Sequence, residues 1–217
     1  MTETAPATGA ADLIVATLRD LILSGDLAPG TRFTEAELCA AHGVARPTVR
    51  TAIQVLVHQG LLERSPNRSP SVPQLTQQDV LDLFYVRVPL EVQTVRALVG
   101  RVVVIPAAEE ATRQMEELPH EAHWSDVVEA DRAFHNALVE AVGSKRLSRL
   151  YRSLDGEIRL CVAQLRPAWA SPAALGREHR EVLSAITEGS VDDAVERMRN
   201  HLEKAVVHLT GRRPDRS

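Results

Sequence analysis

Residues 34–50, TEAELCAAHGVARPTVR, decide how the first third of the chain folds. The Thr34 hydroxyl can accept from the backbone N–H groups of Glu35 to Glu37, and those two carboxylates suit the positive end of a helix dipole, so a short helix begins here. It ends at His42-Gly43, and Val44 leads to Arg46-Pro47, with proline suited to a first helical turn. Val49, Ile53, Leu56 and Val57 then mark a further helix closed by Gly60. Upstream, Leu13, Ile14, Leu18, Leu21 and Ile22 recur at helical spacing until the turn Asp26-Leu-Ala-Pro-Gly30. Downstream, Leu61-Leu62-Glu63-Arg64, a Pro/Asn/Arg/Ser turn and Ser71-Val72 read as a small β-hairpin. Three short helices followed by a hairpin make a winged helix-turn-helix, in which the third helix enters the DNA major groove and the wing touches the flanking backbone or minor groove.

Charge sharpens this reading. The 217 residues carry 25 basic and 29 acidic side chains, a net −4, so the whole molecule offers no basic field to a polyanion. Locally the balance reverses: between Val44 and Val72 stand Arg46, Arg50, Arg64 and Arg68 against the single acid Glu63. Arg46 and Arg50 are one turn apart and share a helix face, where they can reach bases or phosphates together, with the Thr48 hydroxyl nearby and Arg68 in the wing. Any one of these arginines alone is as well explained by a solvated surface. Hydrophobic residues make up 44% and aromatics 3%, which favours helices packed through aliphatic contacts, a mainly α protein. Cys39 and Cys161 match no metal-finger or redox spacing and read as small core residues. The opening has no basic segment leading to an apolar one, and no long uncharged apolar run follows, so a cytoplasmic protein without membrane spans is expected. Residues 1–9 and 212–217 are expected to fray.

From about Leu75 the grammar changes to long helical periodicity with few breakers, which places a boundary near Pro73 to Thr76, between a DNA-binding domain over 10–74 and a second domain over 75–211. Six helical stretches are expected in the second domain, near 76–100, 105–118, 122–143, 145–168, 173–188 and 190–211, forming an antiparallel bundle. On the first, Arg87 falls within a stripe of Val80, Leu83, Phe84, Leu90, Thr94 and Leu98. A core-facing guanidinium needs a partner, either Glu91 one turn on or the carboxylate of a ligand. Asp131 and His135 share the apolar face of the third stretch, His179 that of the fifth and His201 that of the sixth. Each histidine alone is better read as a satisfied core residue or a partly exposed helix flank. Gathered at one point, three neutral imidazoles and a carboxylate make a divalent-metal site suited to zinc or nickel. The other histidines, 42, 58, 120, 123 and 208, read as surface.

Two resemblances follow from these residues. Pro29-Gly30-Thr-Arg-Phe33, Glu37-Leu38 with Gly43-Val44, Arg46 through Arg50, and Leu56 with Gly60-Leu61-Leu62 resemble the N-terminal signature of the GntR family of bacterial transcription regulators. Ala45 stands where that family usually has Ser, Pro47-Thr48 reverses its usual order, and Ser69 replaces the wing glycine. Asp131-Arg-Ala-Phe-His135, Glu178-His179-Arg with Ile186 and Gly189, and Ala194 with Met198-x-x-His201-Leu202 resemble the FCD ligand-binding domain of the FadR-like branch. Six helices rather than seven are similar to its VanR-like subgroup. The resemblance implies that the matching Asp and three His hold a metal, that a small carboxylic acid completes its coordination, and that the Arg at the position of Arg87 reaches the same cavity.

The resulting expectation is a homodimeric transcription regulator, a repressor and not an enzyme. Two-fold pairing of the wings requires a short palindromic operator in double-stranded DNA, and the carboxylate effector would control operator affinity. Two alternatives stand beside it: a metal-dependent enzyme using the His3Asp centre, and a regulator whose metal is purely structural.

Overall fold

The computed structural model describes residues 9–64, 68–101, 104–164 and 171–211. The terminal segments 1–8 and 212–217, expected to fray, lie outside the described residues. The chain divides between Gln74 and Leu75 into two compact units.

The first unit contains α1 (Ala10–Ser24), α2 (Glu35–His42) and α3 (Arg46–His58), with α1 and α2 both packed on α3. Ile14, Leu18, Ile22, Val49, Ile53 and Leu56 are buried, whereas Leu13 is 60% exposed, because it lies a quarter-turn off the Ile14–Leu18–Ile22 stripe. The start of α2 is a reciprocal cap: the Glu37 N–H donates to Thr34 Oγ1 at 3.1 Å and the Thr34 N–H to Glu37 Oε2 at 2.8 Å. Gly43 closes α2 at φ 64°, a left-handed conformation that costs a side-chain-bearing residue about 1–2 kcal/mol.

The wing is smaller than a two-stranded hairpin and has a third participant. Glu63 and Ser71 exchange N–H···O bonds of 2.8 and 3.0 Å, a single antiparallel bridge. Ser71 also bridges to Arg32: the Gly30 N–H donates to the Val72 carbonyl, the Val72 N–H to Thr31, and the Phe33 N–H to Pro70, at 2.8–3.0 Å. The segment after α1 thus satisfies backbone groups that the short wing cannot pair alone, and buried Phe33 and Val72 pin it to the core. Residues 65–67 at the turn lie outside the described residues.

Among its described residues the second unit has helices and no strands: α4 (Gln77–Leu98), α5 (Pro106–Glu117), α6 (Trp124–Ala141), α7 (Lys145–Ser153), α8 (Asp155–Gln164), α9 (Pro172–Glu188) and α10 (Val191–Thr210). The single stretch expected over 145–168 is two helices. At Leu154 the N–H bonds the Tyr151 carbonyl three residues back, while the Leu154 carbonyl already accepts from Ile158. Ser153, Asp155 and Gly156 around the break are poor formers of helix interiors, and the Asp155 carboxylate is drawn to Arg132 on α6 at 2.7 Å. With seven elements in place of six, helix number no longer points to the VanR-like subgroup. Residues 165–168 lie outside the described residues.

Thr76 caps α4, accepting from the Asp79 N–H at 3.2 Å. α4 packs on α10, α5 on both α6 and α9, and α9 on α10. Cys161 is buried as expected, and Cys39 is half-buried. The α5–α9 crossing depends on Gly176, where a Cβ would stand 2.9 Å from the Glu116 backbone nitrogen and 3.2 Å from Met115 Cβ. Gly176→Val is expected to destabilise the protein by about 1–3 kcal/mol through overpacking, measured as a lower midpoint in urea unfolding.

Candidate metal centre and recognition helix

The sequence at 45–50 leaves the start of α3 without a side-chain cap, because Ala45 has no acceptor to offer, and Pro47 occupies the first turn. Arg46 and Arg50 project into solvent beside this terminus, with Thr48 half-buried between them and Arg68 exposed in the wing. Arg46 and Arg68 make no ion pair among the described residues. Arg50 does: its Nε donates to both Glu35 oxygens, at 3.1 and 2.9 Å, and Arg64 reaches Glu35 Oε1 at 3.5 Å. From the sequence, Glu35 reads as a helix-dipole partner. Fifteen residues separate it from Arg50, so no local spacing signals the pair. An exposed pair of this kind is worth about 0–1 kcal/mol, so Arg50 remains available to a stronger anionic partner.

In the second unit Asp131, His135, His179 and His201 are all buried, and one ligand atom from each lies within 4.8 Å of the others. Asp131 and His135 are one turn apart on α6, while α9 and α10, packed on each other, bring His179 and His201. Every ring has its Nδ1 side committed outward. His135 Nδ1 donates to Glu91 Oε2 in a very short contact. His201 Nδ1 faces Glu178 Oε2 at 3.3 Å, and His179 Nδ1 faces Met115 Sδ at 3.2 Å. Ionised carboxylates accept but do not donate, so on a neutral His135 or His201 the proton sits on Nδ1 and the Nε2 lone pair turns inward, while His179 has the Met115 thioether at Nδ1 and the Asp131 carboxylate at Nε2. There, His135 Nε2 stands 3.3 Å from the Nε2 atoms of both His179 and His201, and His179 Nε2 stands 3.3 Å from Asp131 Oδ1. Asp131 Oδ2 is buried without a hydrogen-bond partner. Converging lone pairs and an orphaned carboxylate oxygen repel one another unless a cation lies among them. Three imidazole nitrogens and one carboxylate oxygen are a donor set that divalent ions accept, and outer carboxylates holding ligand histidines are their usual support. The residues therefore fit a divalent metal.

Glu91 joins this centre to Arg87. Its Oε1 accepts from Arg87 Nε at 2.6 Å and from the Tyr151 hydroxyl at 2.8 Å, while Oε2 takes His135. The internal pairing anticipated for Arg87 is thus present. Burial pushes Glu91 up, but its contacts with His135 and with the Arg87 guanidinium outweigh it and hold the carboxyl below its usual range. Burial likewise acts against Arg87, yet the Glu91 and Asp131 carboxylates keep it charged. Asp131 is also lowered, by His135 and by the His179 contact, against its burial. Burial pushes the Tyr151 hydroxyl up, so it donates as a neutral phenol. His179 and His201 are pushed down by burial, with Asp131 and Glu178 only partly offsetting it.

Of these supports, Glu91 was legible as the residue one turn from Arg87, and Glu178 as the neighbour of His179. Nothing local marks Tyr151 or Met115. An open groove of about 690 Å³ between α9 and α10 reaches the centre at His201, and Glu178, Glu181, Glu196 and Glu203 on its walls suit a cation better than a carboxylate. Of the remaining histidines, 58, 120, 123 and 208 are exposed and His42 is half-buried.

Two outcomes follow from this electrostatic arrangement. Unfolded imidazoles titrate near pH ~6.5, so below that value the unfolded chain takes up protons that buried His179 and His201 refuse, and the lowered carboxylates act in the same direction. Stability is therefore present above about pH 6.5 and lost as pH falls; the melting temperature in metal-free buffer should drop between about pH 7 and about pH 5.5, and a constant value would contradict neutral burial. Glu91→Ala strands Arg87 in the core and should cost about 3–5 kcal/mol in denaturant unfolding.

Comparison with known proteins places this geometry. Residues 10–72 match the model for bacterial regulatory proteins of the gntR family, and residues 82–204 match the FCD domain. The chain is 25% identical over 199 residues to the uncharacterized HTH-type transcriptional regulator YdhC of Bacillus subtilis (strain 168), covering 88% of this chain and 87% of that one. It is 26% identical over 190 residues to the HTH-type transcriptional repressor RspR of Escherichia coli (strain K12), covering 82% and 79%. A solved chain from Rhodococcus sp. RHA1, assigned to the GntR transcriptional regulators, superposes with a TM-score of 0.76 at 28% identity, covering 93% of this chain and 97% of that one.

Proposed function

The chain belongs to the gntR family of bacterial regulatory proteins and carries an FCD domain, and from that premise we propose that it is a cytoplasmic, homodimeric repressor whose hold on a short palindromic operator is set by a small carboxylate bound at a metal centre. The convergence of three histidine Nε2 atoms on Asp131 carries this reading.

Residues 10–74 form the DNA-binding domain and 75–211 the effector domain. Arg46 and Arg50 reach base edges or phosphates from the first turn of α3, Thr48 adds a hydroxyl, and Arg68 contacts the backbone from the wing. Asp131, His135, His179 and His201 hold a divalent ion, zinc or nickel, which when bound offers an open position to a carboxylate oxygen. Arg87 spends Nε on Glu91 and keeps further N–H donors for the same carboxylate. The effector acts by binding one arrangement of the protein better than another, since only differential affinity shifts an equilibrium. The relative RspR, a named repressor, supports the sign of regulation. An enzymatic reading is less favoured because the nearby carboxylates are committed: Glu91 to Arg87, His135 and Tyr151, and Glu178 to His201 and Lys204.

Footprinting on the protein's own promoter region tests the DNA side: Arg46→Ala and Arg50→Ala should each weaken binding by about 1–3 kcal/mol, and equal binding by all three proteins would defeat the recognition-helix assignment. Elemental analysis should find metal in the wild type and its loss in His179→Ala. A carboxylate panel should lower operator affinity in the metal-loaded wild type; bound metal with no response would leave the ion a structural role, and turnover of a carboxylate would favour the enzyme.

A further inference from the structure

The three inward-facing histidines are sealed from outside to different degrees, and what backs each ring decides which side of the centre can open. His135 is backed by Glu91, whose side chain is 2% exposed and is held by buried Arg87 and Tyr151. Opening that side would strand Arg87 as an unpaired charge in the core. His179 is backed by Met115, which is 0% exposed, where α5 crosses α9 so closely that a Cβ at Gly176 would stand 2.9 Å from the Glu116 backbone nitrogen. No room is left there without separating two packed helices. His201 differs. Its backing residue Glu178 is 19% exposed, and the other Glu178 oxygen accepts from Lys204 Nζ at 2.7 Å, on a side chain that is 57% exposed. A solvated pair of this kind separates readily.

His201 and Glu178 also line the open groove between α9 and α10, together with Glu181, Asp193, Glu196 and Glu203. The two basic side chains of the groove are already engaged: Arg197 by Asp193 at 3.1 Å and by Glu181 at 3.2 Å, and Lys204 by Glu178. Glu196 is exposed and makes no ion pair among the described residues. The concave wall thus presents an excess of negative charge, which concentrates cations and repels anions. Carboxylates along a solvated helix pair would by themselves carry no such meaning. Here they lead to three imidazoles and to the buried Asp131 Oδ2, which has no hydrogen-bond partner.

Resting on the reading of this centre as a metal site, we propose that the α9–α10 groove is the path by which a divalent cation is loaded and released. Glu181, Glu196 and Glu203 raise the local cation concentration, Glu178 is the last carboxylate before His201, and Lys204 is the tie that keeps Glu178 against His201 Nδ1. The same walls repel a carboxylate, so an anionic effector approaches the centre from another side.

Stopped-flow uptake of zinc by the full-length protein stripped of metal, and zinc release from the loaded protein to a chromophoric chelator, test the path. Glu196→Lys alters an exposed side chain that touches neither a ligand nor a backing residue. At ~10 mM salt it should slow uptake at least about threefold, with release within about twofold of wild type, and the difference should vanish near ~0.5 M salt. Glu117→Lys, the same charge change on α5 outside the groove, should leave uptake within about twofold. Lys204→Met releases Glu178 and removes a positive charge from the mouth, and should speed uptake about two- to fivefold. Uptake that ignores Glu196→Lys and Lys204→Met, or that slows as much with Glu117→Lys as with Glu196→Lys, overturns the path and leaves the metal centre standing. A wild type that binds neither zinc nor nickel overturns both.

Discussion

A buried neutral imidazole whose Nδ1 is taken by an outer acceptor can direct its Nε2 lone pair only at whatever lies on the other side. In the second unit three such rings face one another, and the bundle is organised around that constraint. Glu91 on α4 and Glu178 on α9 fix the tautomers of His135 and His201, Met115 on α5 lies against His179 Nδ1, Tyr151 on α7 fixes Glu91, and Asp131 on α6 supplies the fourth inward ligand atom. Every helix of the unit except α8 contributes a side chain to the centre or its support. Such a cluster is costly to bury without a cation and favourable with one, which ties the packing of the bundle to what it binds.

The two units handle charge in opposite ways. In the bundle, Arg87 and Glu91 are sealed together, and their pairing is strong because neither can turn to water instead. On the first unit, Arg50 and Arg64 meet Glu35 in solvent, where a pair is readily exchanged for another anion, and Arg46 and Arg68 make no ion pair among the described residues. The net charge of −4 hides this arrangement: the sum over the chain carries no information about which arginines are held by a neighbour and which are presented.

Much of this was legible residue by residue. Asp131 and His135, four apart, had to share a helix face, and Thr34 three residues before Glu37 had to cap α2, because both relations are set by helical geometry within a few residues. The break at Leu154 was less legible, since Leu150 to Gln164 keep an unbroken helical composition apart from Ser153 and the Asp155-Gly156 pair. The third participant in the wing, Gly30 to Phe33, lies some forty residues from its partner and leaves no periodic mark. Met115 reads as an ordinary core methionine until His179 is placed beside it.

By itself the sequence determined the helices, the order of a winged helix-turn-helix before a bundle, and the inward position of the four ligand-type side chains, because propensity, capping and periodicity act over one or two turns. Only the tertiary structure decided which acceptor takes each Nδ1 and that Glu35 holds Arg50. Those outcomes depend on distances between segments far apart in the chain, and a buried or exposed position acquires its electrostatic meaning only from what packs against it.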